Sequence, residues 1–172
     1  ASRRVEGLTR LLFRADAGDE LRITVYEPGG RLRRITAEVH SNMAPGGVRP
    51  VLMAIGGSDC RIVLGRRIEY GDDGRPWTLA FLDADLRPSG RREPLDAPVP
   101  AGRDPGGISV ALVDSGVNYT LASLAARLAR DGAGRTLGYD YWDMDARPFD
   151  LDTSRSPFFP IRHGTRVASI LL

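Results

Sequence analysis

The chain has 172 residues, of which 42% are hydrophobic and 27% charged, ordinary proportions for a globular protein of one domain or two small ones. No apolar run is long enough to span a membrane. Basic and acidic residues nearly balance at 24 to 22; the basic ones are all Arg and lie scattered among acids, which argues against a nucleic-acid partner.

Residues 1–95 read as short strands and turns. Leu8 to Ala15 is a mixed apolar run. Leu21 to Tyr26 is β-branched and alternating, Glu27-Pro28-Gly29-Gly30 is a turn, and Leu32 to His40 alternates again, which predicts a hairpin. Asn42 to Pro50 is a Gly/Pro-rich loop, and Val51 to Ile55 is a short strand broken by Gly56-Gly57-Ser58-Asp59. Arg61 to Tyr70 and Pro76 to Asp83 flank Gly71-Asp72-Asp73-Gly74, a second hairpin signal. No amphipathic helix precedes residue 95. The expectation is a small antiparallel β-rich domain, sandwich-like, with one face of each strand buried. Cys60 is the single cysteine, so no intrachain disulfide forms, and a half-buried thiol is expected there.

Residues 96–107 read as a linker: Pro98, Pro100 and Pro105 fix backbone angles and remove N–H donors. Beyond it, Ile108 to Val113 is apolar without alternation, as expected of a strand covered on both faces in a parallel sheet. Asp114 stands at that strand's C-terminal end, where ligands and catalytic groups collect in α/β sheets, and Ser115-Gly116 follow. Leu121, Leu124, Ala125 and Leu128 then have helical spacing over 121–130, with Asn118 or Thr120 as cap, Gly132 and Gly134 as stop, and a second strand over 136–141. Strand, helix and strand make a βαβ unit.

An acidic loop comes next, with Asp140, Asp143, Asp145, Asp150 and Asp152. Clustered carboxylates suit a structural calcium ion; a solvated loop whose aspartates cap turns is the alternative. Trp142, Phe149, Phe158 and Phe159 are expected to anchor this loop on the core. In Arg162-His163-Gly164-Thr165-Arg166-Val167-Ala168-Ser169-Ile170-Leu171-Leu172, the apolar spacing predicts a helix with His163 in its first turn.

Asp-Ser-Gly after an apolar strand, followed by His-Gly-Thr-Arg-Val-Ala-Ser on a helix, resembles the subtilisin-like serine peptidases over roughly residues 105–172. The resemblance implies an α/β parallel-sheet catalytic domain, of which 108–172 is the N-terminal part. It implies Asp114 as the aspartate that orients a histidine and His163 as the general base, roles known from that family's triad. It further implies a protein or peptide substrate, chemistry without a cofactor, and an exported enzyme, periplasmic or extracellular. Ala1-Ser2-Arg3-Arg4 lacks the apolar core of a signal peptide, which fits a processed N-terminus and leaves a cytoplasmic origin open.

The family's nucleophile sits in a Gly-Thr-Ser motif downstream of the histidine, and none of Ser115, Ser123, Ser154, Ser156 and Ser169 has that context. The expectation is a portion of a longer protease, or a processed chain whose serine comes from a C-terminal segment or a separate chain, and which is inactive alone. A non-catalytic binding or scaffold protein that retains the two motifs is the alternative.

Overall fold

The computed structural model describes residues 2–42 and 47–171. The chain divides into two compact units, Ala1–Pro94 and Leu95–Leu172.

The first unit is one antiparallel sheet of eight strands: β1 (Ser2–Val5), β2 (Leu8–Arg14), β3 (Glu20–Tyr26), β4 (Arg34–Asn42), β5 (Val48–Gly56), β6 (Ile62–Tyr70), β7 (Pro76–Leu82) and β8 (Pro88–Pro94). Their spatial order is their sequence order, a plain meander, and not the two facing sheets of a sandwich. The loop expected over 42–50 lies outside the described residues at 43–46, and Val48 to Pro50 already belong to β5.

Period-two alternation explains the register. The pairs Leu11–Ile23, Ile23–Ala37 and Ala37–Ala54 carry one apolar row across four strands, and Phe13–Leu21, Leu21–Val39 and Val39–Leu52 carry a second on the same face. The opposite face of these strands is mixed, with Arg10, Arg22, Thr24, Thr36 and Glu38 beside Leu12, Met53 and Ile55. There Glu20 pairs with His40 across β3 and β4 and accepts hydrogen bonds from Arg14 Nε at 2.9 Å and Arg22 Nη2 at 2.6 Å. Those contacts, Arg22 foremost, hold the Glu20 carboxyl below the usual carboxylate range. A slip of one residue would exchange the two faces, so the register is strongly specified. Further along the sheet Met53, Ile68, Leu79, Ala80 and Leu82 are buried.

Four hairpins close in one way. In each, the first loop residue's N–H bonds the carbonyl four residues on, and the fourth residue's N–H bonds back to the first. The pairs are Ala15/Asp19, Gly57/Arg61, Gly71/Arg75 and Asp83/Arg87. The fourth residue has positive φ, which Gly18 and Gly74 adopt freely. Cys60 and Leu86 occupy the same position as non-glycine residues. Cys60 is therefore exposed at a turn, not half-buried, because its loop position points the thiol into solvent.

The second unit overturns the expected α/β parallel-sheet domain. The protein is mostly antiparallel β-sheet with little helix, and the second unit contributes no strand of a parallel sheet among the described residues. Residues 108–113 pair with nothing, and Ile108, Val110 and Val113 lie 95%, 67% and 98% exposed. An apolar run becomes a strand only where neighbours take up its backbone bonds, and none does so here. Over 136–141 there are only the bridges Arg130–Thr136 and Asp140–Asp145. The helix expected over 121–130 shrinks to α1 (Ala122–Ala125), in which only Leu124 is buried. So short a helix needs a packed apolar face, and without a sheet to lie on it frays into turns. The helix that begins with the histidine does form, as α2 (His163–Ile170).

What holds this unit is a small aromatic core. Ala97, Tyr119 and Phe149 are buried together with Val99 and Leu128 against them. The Tyr119 and Phe149 rings meet edge to face at 5.2 Å, and Tyr119 Oη donates to the Ala97 carbonyl at 2.7 Å. The Pro-rich stretch is thus fastened into the second unit. Asp96 pairs with Arg147 at 3.0 Å, and Arg130 donates to the carbonyls of Pro100 and Gly134 at 2.7 and 3.0 Å.

Candidate active site

Asp114 and His163 stand 49 positions apart in the chain and meet in the fold. His163 Nδ1 lies 2.8 Å from Asp114 Oδ1 and 2.9 Å from Oδ2. The carboxylate can only accept, so Nδ1 carries a proton, and in the neutral ring Nε2 is the nitrogen with the lone pair. The Asp114 side chain is 16% exposed and the imidazole 64% exposed, so the carboxylate is the more covered partner and the ring is presented to solvent. The ring's hydrogen bond, with the Ser115 N–H at 2.7 Å second, holds the Asp114 carboxyl below the usual carboxylate range.

Four further contacts set this geometry. Gly164, directly after the histidine, is buried against the 114–116 turn. A Cβ there would collide with the Gly116 carbonyl oxygen and lie 3.2 Å from Asp114 Cβ, so the close approach of the two motifs requires glycine. Gly116 has φ +106 and would meet the Phe149 backbone at 2.7 Å if it carried a Cβ. The Gly164 N–H donates to Ser115 Oγ at 3.0 Å, and the Asn118 N–H donates to Thr165 Oγ1 at 2.9 Å.

Beneath these contacts lies Asp150, fully buried. Its Oδ1 accepts from Ser115 Oγ at 2.8 Å, and its Oδ2 accepts from the Thr165 N–H at 2.8 Å and from the Thr165 hydroxyl. Arg162 donates to its backbone carbonyl, and the guanidinium lies 5.1 Å from the centre of the Phe149 ring. Sequence reasoning grouped Asp150 with the acidic loop and missed its connections, which reach residues 35 and 15 positions away. The run Phe149-Asp150, a carboxylate beside a core aromatic, is the one local sign that it turns inward.

Three of the other loop carboxylates serve their own turns. Asp140 Oδ1 accepts from the N–H groups of Trp142 and Asp143, Asp152 Oδ1 from that of Ser154, and Asp145 from Arg147. Among the described residues no three His, Cys, Asp or Glu side chains gather as a cation site. Of the expected aromatic anchors, Phe149 and Phe158 are buried, while Trp142 is 94% exposed and Phe159 39%. No described helix is long and apolar enough to cross a membrane.

Ser115 is the serine nearest the pair by sequence, yet its hydroxyl is engaged with Asp150 and, at 3.2 Å, Asp114, rather than with the imidazole. The arrangement can therefore move a proton through Nε2, with the nucleophile arriving from outside the set of groups that build it. No model of a known protein family, no curated protein and no solved structure matches this chain.

Proposed function

We propose that this chain supplies the aspartate and histidine of a serine-dependent peptide-bond hydrolase that resembles the subtilisin-like peptidases in its two motifs. The observation that carries the reading is the contact of His163 Nδ1 with both Asp114 carboxylate oxygens on a side chain that is 64% exposed. In the proposed reaction His163 Nε2 takes the proton of a serine hydroxyl as that oxygen bonds to the scissile carbonyl carbon. The same proton passes to the leaving amine as the C–N bond breaks, and water then hydrolyses the acyl-enzyme. Asp114 fixes the tautomer and stabilises the imidazolium formed in between. The serine comes from a further segment or a companion chain.

The test is labelling with a serine-directed fluorophosphonate. The chain alone should not label stoichiometrically. A longer product or a co-purifying chain should label at a serine outside residues 1–172, and His163→Ala should abolish that labelling. Stoichiometric labelling of this chain alone, or labelling indifferent to His163→Ala, would sink the reading.

A further inference from the structure

Among the described residues no backbone–backbone hydrogen bond joins the Asp114 turn to α2: one motif follows an unpaired segment, and the other opens a helix. Two side chains fasten the turn to the helix, Ser115 through the Gly164 N–H and Thr165 through the Asn118 N–H, and Asp150 bonds both of them. Asp150 accepts the Ser115 hydroxyl with one carboxylate oxygen and both the N–H and the hydroxyl of Thr165 with the other. Ser115 is covalently next to Asp114, and Thr165 is two residues past His163.

From this bridge we infer that Asp150 is a positioning residue whose buried carboxylate sets the Asp114–His163 contact. The inference rests on the proposed catalytic pair and deepens it.

Hydroxyl bookkeeping sharpens the point. Ser115 Oγ has one proton and two carboxylates within reach, Asp150 at 2.8 Å and Asp114 at 3.2 Å. The shorter contact takes the proton. A lone pair of Ser115 is then aimed at the Gly164 N–H, 3.0 Å away, which ties the helix start to the turn. Asp114 Oδ1 in turn keeps its acceptor capacity for the Ser115 N–H and the imidazole. The Thr165 hydroxyl works the same way: its proton goes to Asp150, and its lone pair receives the Asn118 N–H at 2.9 Å. Each hydroxyl thus stitches the 115–118 segment to α2, and each is oriented by the same carboxylate. Arg162, on the backbone carbonyl of Asp150, holds that residue from the other side.

An exposed aspartate would do this poorly, because water would compete for both hydroxyls. Asp150 is fully buried and accepts three protein donors, so removing it strands the buried Thr165 N–H and hydroxyl and leaves the Ser115 hydroxyl to turn to Asp114.

The experiment uses the full chain with carboxyl ¹³C and imidazole ¹⁵N labels, and it needs no peptidase activity. Two signals are read: the pH midpoint of the Asp114 carboxyl, and the downfield proton on His163 Nδ1. Asp150→Ala should move the Asp114 midpoint up towards the ordinary carboxylate range and erase the Nδ1 proton signal. Thr165→Val should do the same in part, and Thr165→Ser, which restores the hydroxyl, should return both signals to their original positions.

His163→Ala is the reference for the pair itself. If it leaves the Asp114 midpoint unmoved, the Asp–His pair fails and the proposed function fails with it. If it moves the midpoint but Asp150→Ala does not, the positioning role alone is overturned. Loss of the folded second unit in both Asp150→Ala and Thr165→Val would also overturn it, because the carboxylate would then be holding the fold and not the pair.

Discussion

Gly164→Ala sets two effects of similar size and opposite sign against each other. Helix propensity favours alanine by about 1 kcal/mol in a helix interior, an upper bound for a residue in the first turn. The contact opposes it. The new methyl would sit about 1 Å inside the ~3.3 Å at which carbon and oxygen touch, and its neighbour is the Gly116 backbone carbonyl. A flexible side chain would swing away, whereas a backbone carbonyl yields only if α2 or the 114–116 turn moves. Overpacking of this kind costs typically 1–3 kcal/mol. Taking about 2 against about 1, the variant should lose on the order of 1 kcal/mol, roughly a fivefold fall in protection. Native-state hydrogen exchange at the Thr165 and Asn118 amides, both bonded across the junction, reads this directly. Ser169→Ala, on the exposed side of the same helix, should stay within about 0.5 kcal/mol. A protection factor that rises in Gly164→Ala would refute the account, because the two motifs would then have room for a side chain.

Leu79→Ala, at a fully buried position paired with Ile68, should cost about 2–5 kcal/mol by urea denaturation followed through Trp77 fluorescence. A loss under about 1 kcal/mol would place the first unit's core elsewhere. Cys60→Gly should gain about 0.5–1 kcal/mol: left-handed backbone costs a non-glycine residue about 1–2 kcal/mol, offset in part by the extra freedom of glycine when unfolded. A lower melting temperature than the parent would contradict that. Acid should destabilise both units. Asp19 and Glu20 in the first, and Asp104, Asp114, Asp131 and Asp152 in the second, have carboxyls held below their ordinary range. Because the unfolded chain takes up protons first, their contribution is complete above about pH 4 and lost as pH falls through the lowered values. Melting temperatures measured from pH 7 to pH 2 check the sign, and a flat profile below pH 4 would be the contrary result.

Strands were legible where the pattern was local. Leu21 to Tyr26 alternates apolar and polar residues, and that alternation is what one buried face demands, so β3 falls almost where the sequence places it. Gly71 to Gly74 announces its hairpin through the one backbone conformation that glycine takes cheaply. Ile108 to Val113 shows the reverse. Its apolar run carries no information about whether partner strands exist, and pairing is a property of the neighbours. Leu121 to Arg130 has helical spacing, but spacing cannot supply a surface to pack on. At the site, the meeting of Asp114 and His163 was legible because each stands in a short motif of adjacent residues. Asp150 was not, since its role depends on Ser115 and Thr165, which the chain brings to it only after folding.

The meander has a kinetic consequence. Every pairing in the first unit joins a strand to the one that follows it, so no ladder waits for a distant part of the chain. Antiparallel sheets with long crossovers fold slowly because loop-closure entropy is lost before the contacts form. Here most closures span a five-residue loop, and mean sequence separation is low for a sheet of this size. Each new strand can add to a finished edge as it emerges during synthesis, and β8 completes the ladder at Pro94, ahead of Asp114.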